Sequence, residues 1–489
     1  MPETTAQQVA TYKNFIGGEW RASEGGVFDV RSPANGELLY RAQRSAVDDV
    51  HAAIRAARQA FESTEWREDT AARTAALTKF SEAVRSRHQD LATQLTRESG
   101  KPFPISRGEA LRLSETTSYY AGLTRWIFGR SQIPQPNSIS MIMREPVGVV
   151  AIIVPWNAPL ALLARAIGPA LAAGNAVIVK PASYTAGSTV ELGRIIEGIE
   201  EFPKGIVNIV TGPGNPVGAE LARHDDVDMV SFTGDTSTGR EIMRLAAANL
   251  KKVSLELGGK SPTIVFADAN FDRAIRGAIN AASFYNAGQI CIAGTRVLVE
   301  ESVHEQFVGR IKEMVPKMKV GPGWEKGVEV GPVISEAQLE KITGYIETGK
   351  KEARLLVGGQ RLTDGDLAKG YFVAPTVFDG MSPDAKIAQE EIFGPVMGIT
   401  TFKDLDDAIR IANHTRYGLV AAVWTRDINK AMKIATRVRA GSIWINTFGK
   451  MYQSTEMGGF KQSGLGRQYG LEGLFEYTEL KHVNIQIEK

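Results

Sequence analysis

The stretch Val147-Gly-Val-Val-Ala-Ile-Ile-Val-Pro155, followed by Leu160 to Ala173, Gly174-Asn175 and Ala176-Val-Ile-Val-Lys180, decides the fold. Two β-branched runs with no polar alternation read as strands buried on both faces, and the Ala- and Leu-rich run between them reads as a crossover helix stopped at Gly174-Asn175. The alternation goes on: a helix over Ala186 to Glu200, and strands over Val207 to Thr211, Met229 to Thr233 and Lys252 to Leu257. Right-handed crossovers join such strands into a parallel, doubly wound α/β sheet, and sheets of this kind bind ligands at the carboxyl ends of their strands.

Outward from this block, a second alternation begins at Pro262-Thr-Ile-Val-Phe266, passes through a helix from Phe271 to about Tyr285 and returns at Arg296 to Val299, which predicts a second α/β domain. Before the block, Arg130 to Arg144 ends in alternating polar and apolar residues and fits an exposed hairpin arm; Lys481 to Lys489 alternates like an edge strand. Exposed edges of that sort take partners. At 489 residues the chain is too long for one compact core. With 57 Lys and Arg against 55 Asp and Glu, it offers no basic face for nucleic acid. Met1-Pro-Glu-Thr-Thr-Ala6 does not resemble a secretory leader, no apolar run approaches a membrane span, and Cys291 is the only cysteine. A cytoplasmic protein without membrane contact is therefore expected, as is the absence of a metal site.

Cys291 lies in Asn286-Ala-Gly-Gln-Ile-Cys-Ile-Ala-Gly294. A lone cysteine is more often a small buried apolar residue than a nucleophile, so its surroundings must decide. Several motifs accompany it in order: Val154-Pro-Trp-Asn-Ala-Pro159, Lys180-Pro-Ala-Ser183, Ser231-Phe-Thr-Gly-Asp-Thr-Ser-Thr-Gly239, Leu255-Glu-Leu-Gly-Gly-Lys260, Glu390-Glu-Ile-Phe-Gly-Pro395 and Gly458-Gly-Phe-Lys-Gln-Ser-Gly464. From about Asn14 to about Tyr477 the chain thereby resembles the NAD(P)-dependent, non-acylating aldehyde dehydrogenases. The resemblance implies a cofactor domain over 1–122 and 147–258, a catalytic domain over 259–468, and a small β oligomerisation arm over 123–146 and 469–489 that would build a homodimer or homotetramer.

It also implies a chemistry. Hydride can leave an aldehyde carbon only from a tetrahedral adduct, which thiolate addition supplies while storing the product as a thioester. Cys291 matches the nucleophile, Asn157 the amide that receives the adduct's oxygen, and Glu256 the base that activates water against the thioester. A carboxyl near its ordinary value suits that task poorly, so desolvation that raises Glu256 is expected. Cofactor contacts are implied at Pro155, Trp156, Lys180, Ser183, Gly212, Gly234, Gly239, Glu391 and Phe393. Lys180 would hold the adenosine ribose, Glu391 and Phe393 the nicotinamide ribose, and the segment Phe232 to Gly239 would open a helix beside the pyrophosphate.

The chain lacks the usual G-x-G-x-x-G fingerprint after its first strand, and it carries Asp235 where relatives often have Ser, an awkward charge beside phosphate. Ser183 stands where NAD-committed members tend to carry Glu, so either NAD or NADP should be accepted. Substrate contacts are implied at Arg165, Ile290, Ile292, Asn446 and Met457. Arg165 sits in an apolar helix and could grip a carboxylate, pointing to a semialdehyde or polar aromatic aldehyde; pairing with an internal acid is the alternative. Two other functions remain open at this stage: a CoA-acylating semialdehyde dehydrogenase, against which Glu256 argues, and a binding or structural protein that kept the fold without catalysis.

Overall fold

The computed structural model describes residues 9–488; the reading of Met1 to Ala6, and the first and last residues of the domain assignment, fall outside them. The deciding stretch folds as read. Val149–Ile153 and Ala176–Lys180 pair in parallel, and the helix between them runs Pro159–Ala172, with Pro159 at its first position, where a missing N–H costs nothing. Asn175 seals the far end. Its side-chain amide donates to the carbonyls of Ala170 and Tyr477, and its side-chain oxygen accepts from the N–H of Gly148.

The first sheet has eight strands, in the order Gly464–Leu465, Lys252–Glu256, Met229–Thr233, Val149–Ile153, Ala176–Lys180, Val207–Ile209, Asn14–Ile16, Glu19–Arg21. Its five central strands are parallel and almost wholly buried, as unbroken apolar runs require. From Val149–Ile153 the chain moves outward through Ala176–Lys180 and Val207–Ile209, then returns on the other side as Met229–Thr233. Between the first and the fourth of these strands lies the switch point, where a crevice opens at the carboxyl ends. The edges differ from expectation. Asn14–Ile16, Glu19–Arg21 and Gly464–Leu465 are antiparallel additions too short to leave a periodic trace. Gly464–Leu465 pairs with Lys252–Glu256, so a segment assigned from sequence to the second domain completes the first sheet.

The second sheet has seven strands, in the order Arg354–Val357, Thr376–Asp379, Val396–Phe402, Arg296–Glu300, Pro262–Val265, Val420–Trp424, Ser442–Ile445, all parallel except Arg354–Val357. Its first helix is shorter than expected. It is capped by the Asn270 side chain and runs Phe271–Ala281, because Ser283 takes a left-handed conformation with φ of 58° and a short 3-10 turn, Phe284–Asn286, follows. Ala287, at φ 49°, turns the chain again toward the cysteine. Two three-stranded sheets complete the described residues: Thr11–Tyr12, Leu38–Gln43 and Val27–Arg31 form one, and in the other, the arm, Thr478–Gln486 pairs antiparallel with Ser138–Pro146 while Arg130–Gln132 flanks the other side. Among the described residues no helix is long and apolar enough to cross a membrane.

Candidate active site

At the switch point a cavity of about 180 Å³ opens. Pro155, Trp156 and Asn157 enter it from the end of the first parallel strand, Thr233, Gly234 and Asp235 from the fourth, and Glu256, Leu257 and Gly258 from the fifth. The second domain supplies Cys291, Glu391 and Phe393. The strand ends and the turned loop after Ser283 therefore bring Cys291, Glu256 and Asn157 to one space, although they are far apart in sequence.

Glu256 is 3% exposed and its Oε1 has no hydrogen-bond partner. Burial pushes its carboxyl up to about 7, while the cations of Arg165 and Arg467 pull the other way. Cys291 is partly accessible, yet burial drives its thiol up to about 11; Arg165 opposes that, and the carboxylates of Glu391 and Glu256 add to it. The pair therefore rests as a neutral thiol beside a carboxyl poised near neutrality. Asn157 donates one amide N–H to the carbonyl of Gln289 at 3.0 Å, and its primary amide has a second N–H to offer.

On the cofactor side, Lys180 ends its strand buried, its Nζ bonded at 2.9 Å to the carbonyl of Pro181, and burial lowers it to about 8. Ser183 donates to the carbonyl of Gly212 at 3.1 Å, tying together the loops after two neighbouring strands. The helix after the fourth strand runs Thr236–Ala246. A Cβ on Gly239 would stand 2.5 Å from Cδ2 of Leu257, so glycine is what lets this helix lie against the strand end. Asp235 caps that helix, accepting from the N–H of Ser237 at 2.7 Å, and these bonds hold its carboxyl below the usual range despite burial. Glu391 is clamped by the N–H of Gly259 at 3.0 Å and pushed by burial to about 7. Trp156 and Phe393 meet edge to face, centroids 5.4 Å apart. Glu391, Asp235 at the helix start, Trp156 and Phe393 line the cavity, whereas Lys180, Ser183, Gly212 and Gly239 do not; a clamped carboxylate, a helix start and an aromatic wall are groups that suit a dinucleotide.

On the substrate side, Ile290, Ile292 and Met457 pack with Trp444, Phe448 and Cys291 in one apolar cluster. Arg165 is 2% exposed and poorly satisfied: Nη2 lies 3.4 Å from Oγ1 of Thr233, Nη1 reaches only the sulfur of Met457 at 4.0 Å, and Nε has no partner. The internal acid that could have absorbed it is not hydrogen-bonded to it. None of Arg165, Ile290, Ile292 and Met457 lines the cavity itself, Arg165 reaching its wall through Thr233 and the apolar three packing with Cys291, and neither does Asn446. Its side chain closes on Thr425, accepting from that N–H at 3.1 Å and donating to that carbonyl at 2.9 Å, which steadies a left-handed residue with φ of 55°.

Sequence reasoning missed Gln338 and Lys341, which reach the cavity from the Glu336–Glu352 helix. Their only signal was a spacing of three on a helix with no motif around it. Among the described residues one group of potential metal ligands, the half-buried His51, Glu220 and His224, lies away from the cavity. There His51 is hydrogen-bonded to Glu220, and Nδ1 of His224 accepts from the N–H of Asp226, which keeps the neutral ring's proton on Nε2. Each histidine thus already has a hydrogen-bond partner, His51 in Glu220 and His224 in the Asp226 backbone, and we assign no ion to the group.

The family model for the aldehyde dehydrogenase family matches residues 20–483. The chain is 42% identical to a betaine aldehyde dehydrogenase of Bacillus subtilis, over 96% of each chain, and 44% identical to aldehyde dehydrogenase 1A1 of Bos taurus, over 98% of this chain and 95% of that one. Among solved structures, betaine aldehyde dehydrogenase from Staphylococcus aureus in complex with NAD+ superposes with a TM-score of 0.96 at 38% identity, covering 98% of this chain and 95% of that one. An NAD-dependent aldehyde dehydrogenase from Sinorhizobium meliloti gives 0.95 at 37%, covering 98% and 96%. With near-complete coverage, the motifs in order and the two-domain crevice all agreeing, the chain belongs to the aldehyde dehydrogenase family, NAD(P)-dependent enzymes that oxidise aldehydes to carboxylic acids.

Proposed function

We propose that this enzyme oxidises a polar or anionic aldehyde through a thioester on Cys291. The observation that carries the proposal is the convergence of Cys291, Glu256 and Asn157 on one cavity at the switch point. Cys291 gives its thiol proton to water and Sγ adds as the thiolate to the aldehyde carbon, and the oxygen that becomes anionic is received by the Asn157 amide and the N–H of Cys291. Preorganised donors of this kind are worth roughly 3 to 4 kcal/mol of barrier each. A bound nicotinamide dinucleotide supplies the hydride acceptor, and Lys180, Glu391 and Phe393 would hold it. Glu256 then takes a proton from water as the water attacks the thioester, releasing the acid and returning the sulfur.

Arg165 supports the choice of substrate. A buried guanidinium with an orphaned Nε calls for an acceptor, and a substrate carboxylate or phenolic oxygen supplies one. The same charge disfavours a quaternary ammonium aldehyde, so the betaine specificity named for some relatives is not carried over. Ser183 places no carboxylate against a 2′-phosphate, which supports the use of both NAD+ and NADP+. A catalytic thiol must stay reduced, which suits a cytoplasmic setting, and the arm suits a homodimer or homotetramer.

The test is a panel of carboxylated, aromatic, aliphatic and quaternary ammonium aldehydes assayed with both cofactors and without CoA. Free acid is expected over many turnovers, with NADP+ efficiency within about a thousandfold of NAD+, a gap of ~4 kcal/mol. Arg165→Leu is expected to lower kcat/KM for carboxylated aldehydes about 10- to 100-fold, the worth of a charge-assisted hydrogen bond, and to spare propanal. Equal losses on both substrates would overturn the assignment of Arg165.

A further inference from the structure

Two charged residues that belong to none of the motifs and do not line the cavity are buried behind it. Lys101 and Glu109 form an ion pair with side chains 1% and 6% exposed. Buried pairs of this kind are poor stabilisers, since apolar replacements of similar volume often do as well or better. Something other than stability has to explain these charges, and their remaining bonds all go to one segment. Nζ of Lys101 donates to the carbonyl of Asn157 at 2.9 Å. Oε1 of Glu109 accepts from the N–H groups of Leu160 at 2.8 Å and Ala161 at 3.3 Å, the first turn of the Pro159–Ala172 helix. That helix has no side-chain cap of its own, because Ala158 stands at its N-cap position. Glu109 therefore caps it from a neighbouring helix, Phe103–Leu123. Asn286 completes the cage: its side-chain amide donates to the carbonyl of Asn157 and to that of Gln289, each at 3.2 Å, and the Asn157 amide meets the same Gln289 oxygen.

We infer that Lys101 and Glu109 are positioning residues for the oxyanion site, fixing the carbonyl of Asn157 and the helical turn that follows it so that the Asn157 amide stands ready for the adduct oxygen. The inference rests on the proposed role of Asn157. Misplacement of a catalytic group by about 1 Å costs roughly a hundredfold in rate, and a cation on the carbonyl of Asn157 with a carboxylate on the following turn prevents such drift.

The test is single-turnover NADH formation by the full-length enzyme saturated with NAD+, for the parent, Lys101→Met, Asn157→Ala and the two combined. Lys101→Met is expected to slow the hydride step about 10- to 100-fold, and the combined variant to be no slower than Asn157→Ala alone, since a residue acting through Asn157 has nothing left to position. The apolar replacement Lys101→Met with Glu109→Leu is expected to keep the melting temperature and remain slow; if Lys101→Met alone does not fold, this pair takes its place in the comparison. Losses that multiply in the combined variant, a parent-like rate in Lys101→Met, or a parent-like rate in the apolar pair would each overturn the inference. A parent-like rate in Asn157→Ala would instead overturn the role of Asn157 itself, so the two failures are distinct.

Discussion

Glu256 combines two costs that an inert protein would avoid, a carboxyl 3% exposed and an oxygen with no partner. Burial raises it to about 7, which makes it a usable base at neutral pH and a burden on the fold. The sign is definite. Below the unfolded value near 4.3 both states are protonated and nothing is lost, whereas from there up to about 7 the folded state binds the extra proton and stability falls as pH rises. In its proposed role Glu256 must be ionised for thioester hydrolysis, so kcat is expected to rise with pH through about 7 and level above it. Glu256→Gln is expected to retain a burst of about one NADH per site, to lower steady turnover by roughly 10² to 10⁴, to lose that pH dependence, and to melt no lower than the parent at pH 8. Stopped-flow absorbance and a melting series would check it; a burst that vanishes along with turnover would place Glu256 before hydride transfer. The family resemblance named Cys291, Glu256 and Asn157 as candidates, and the structure brings the three to one cavity. How polar side chains are satisfied was not legible in the sequence. Nothing in the sequence marks Arg165 as orphaned, Asn446 as closed on Thr425, or Lys101 as bonded to Asn157, since each depends on which distant backbone atom lies within reach.

The elements show the same division. Parallel strands were readable because burial on both faces demands unbroken β-branched runs, and the crossover helices because they end at Gly and Asn. The two-residue strand Gly464–Leu465 and the left-handed turns at Ser283 and Ala287 were hidden: one is too short for a period, and the others occur at residues with no intrinsic preference for positive φ. Yet these features complete the first sheet and aim the cysteine loop. Contact between helix and strand is finely set at Gly239, where an added methyl would meet both Cδ atoms of Leu257, at 2.5 and 2.9 Å. Leu257 is 7% exposed and lies between Glu256 and Gly258 on the cavity wall, so it has little room to yield. Gly239→Ala is expected to force the Thr236–Ala246 helix outward, costing about 1 to 3 kcal/mol of stability and raising the Kd for NAD+ about tenfold. Chemical denaturation and cofactor titration check both; an unchanged Kd would mean that this helix does not set the cofactor's position.

At the scale of the whole molecule, Cys291, Glu256 and Asn157 meet within one chain, and the arm presents open strand edges among the described residues. Thr478–Gln486 forms one edge of its sheet and Arg130–Gln132 the other, so both present unpaired backbone groups. Leu480 is 60% exposed, Ile485 41% and Ile133 75%, a spread of apolar side chains left open among the described residues. An edge that is both apolar and unpaired is a liability in a monomer and an interface in an oligomer. The proposed homo-oligomer would cover the arm with a second copy of the chain, and the association is expected to show as a mass of two or four times 53.1 kDa by light scattering at micromolar concentration. Leu480→Lys combined with Ile485→Lys places charge on the edge strand and is expected to yield a species of one chain mass whose melting temperature no longer depends on protein concentration. Because Cys291, Glu256 and Asn157 line a cavity formed by one chain, the separated protomer is expected to keep its burst of NADH at temperatures below its lowered melting point. A parent protein running at one chain mass would overturn the interface, and a dissociated, folded variant without the burst would mean that the neighbouring copy helps build the active site.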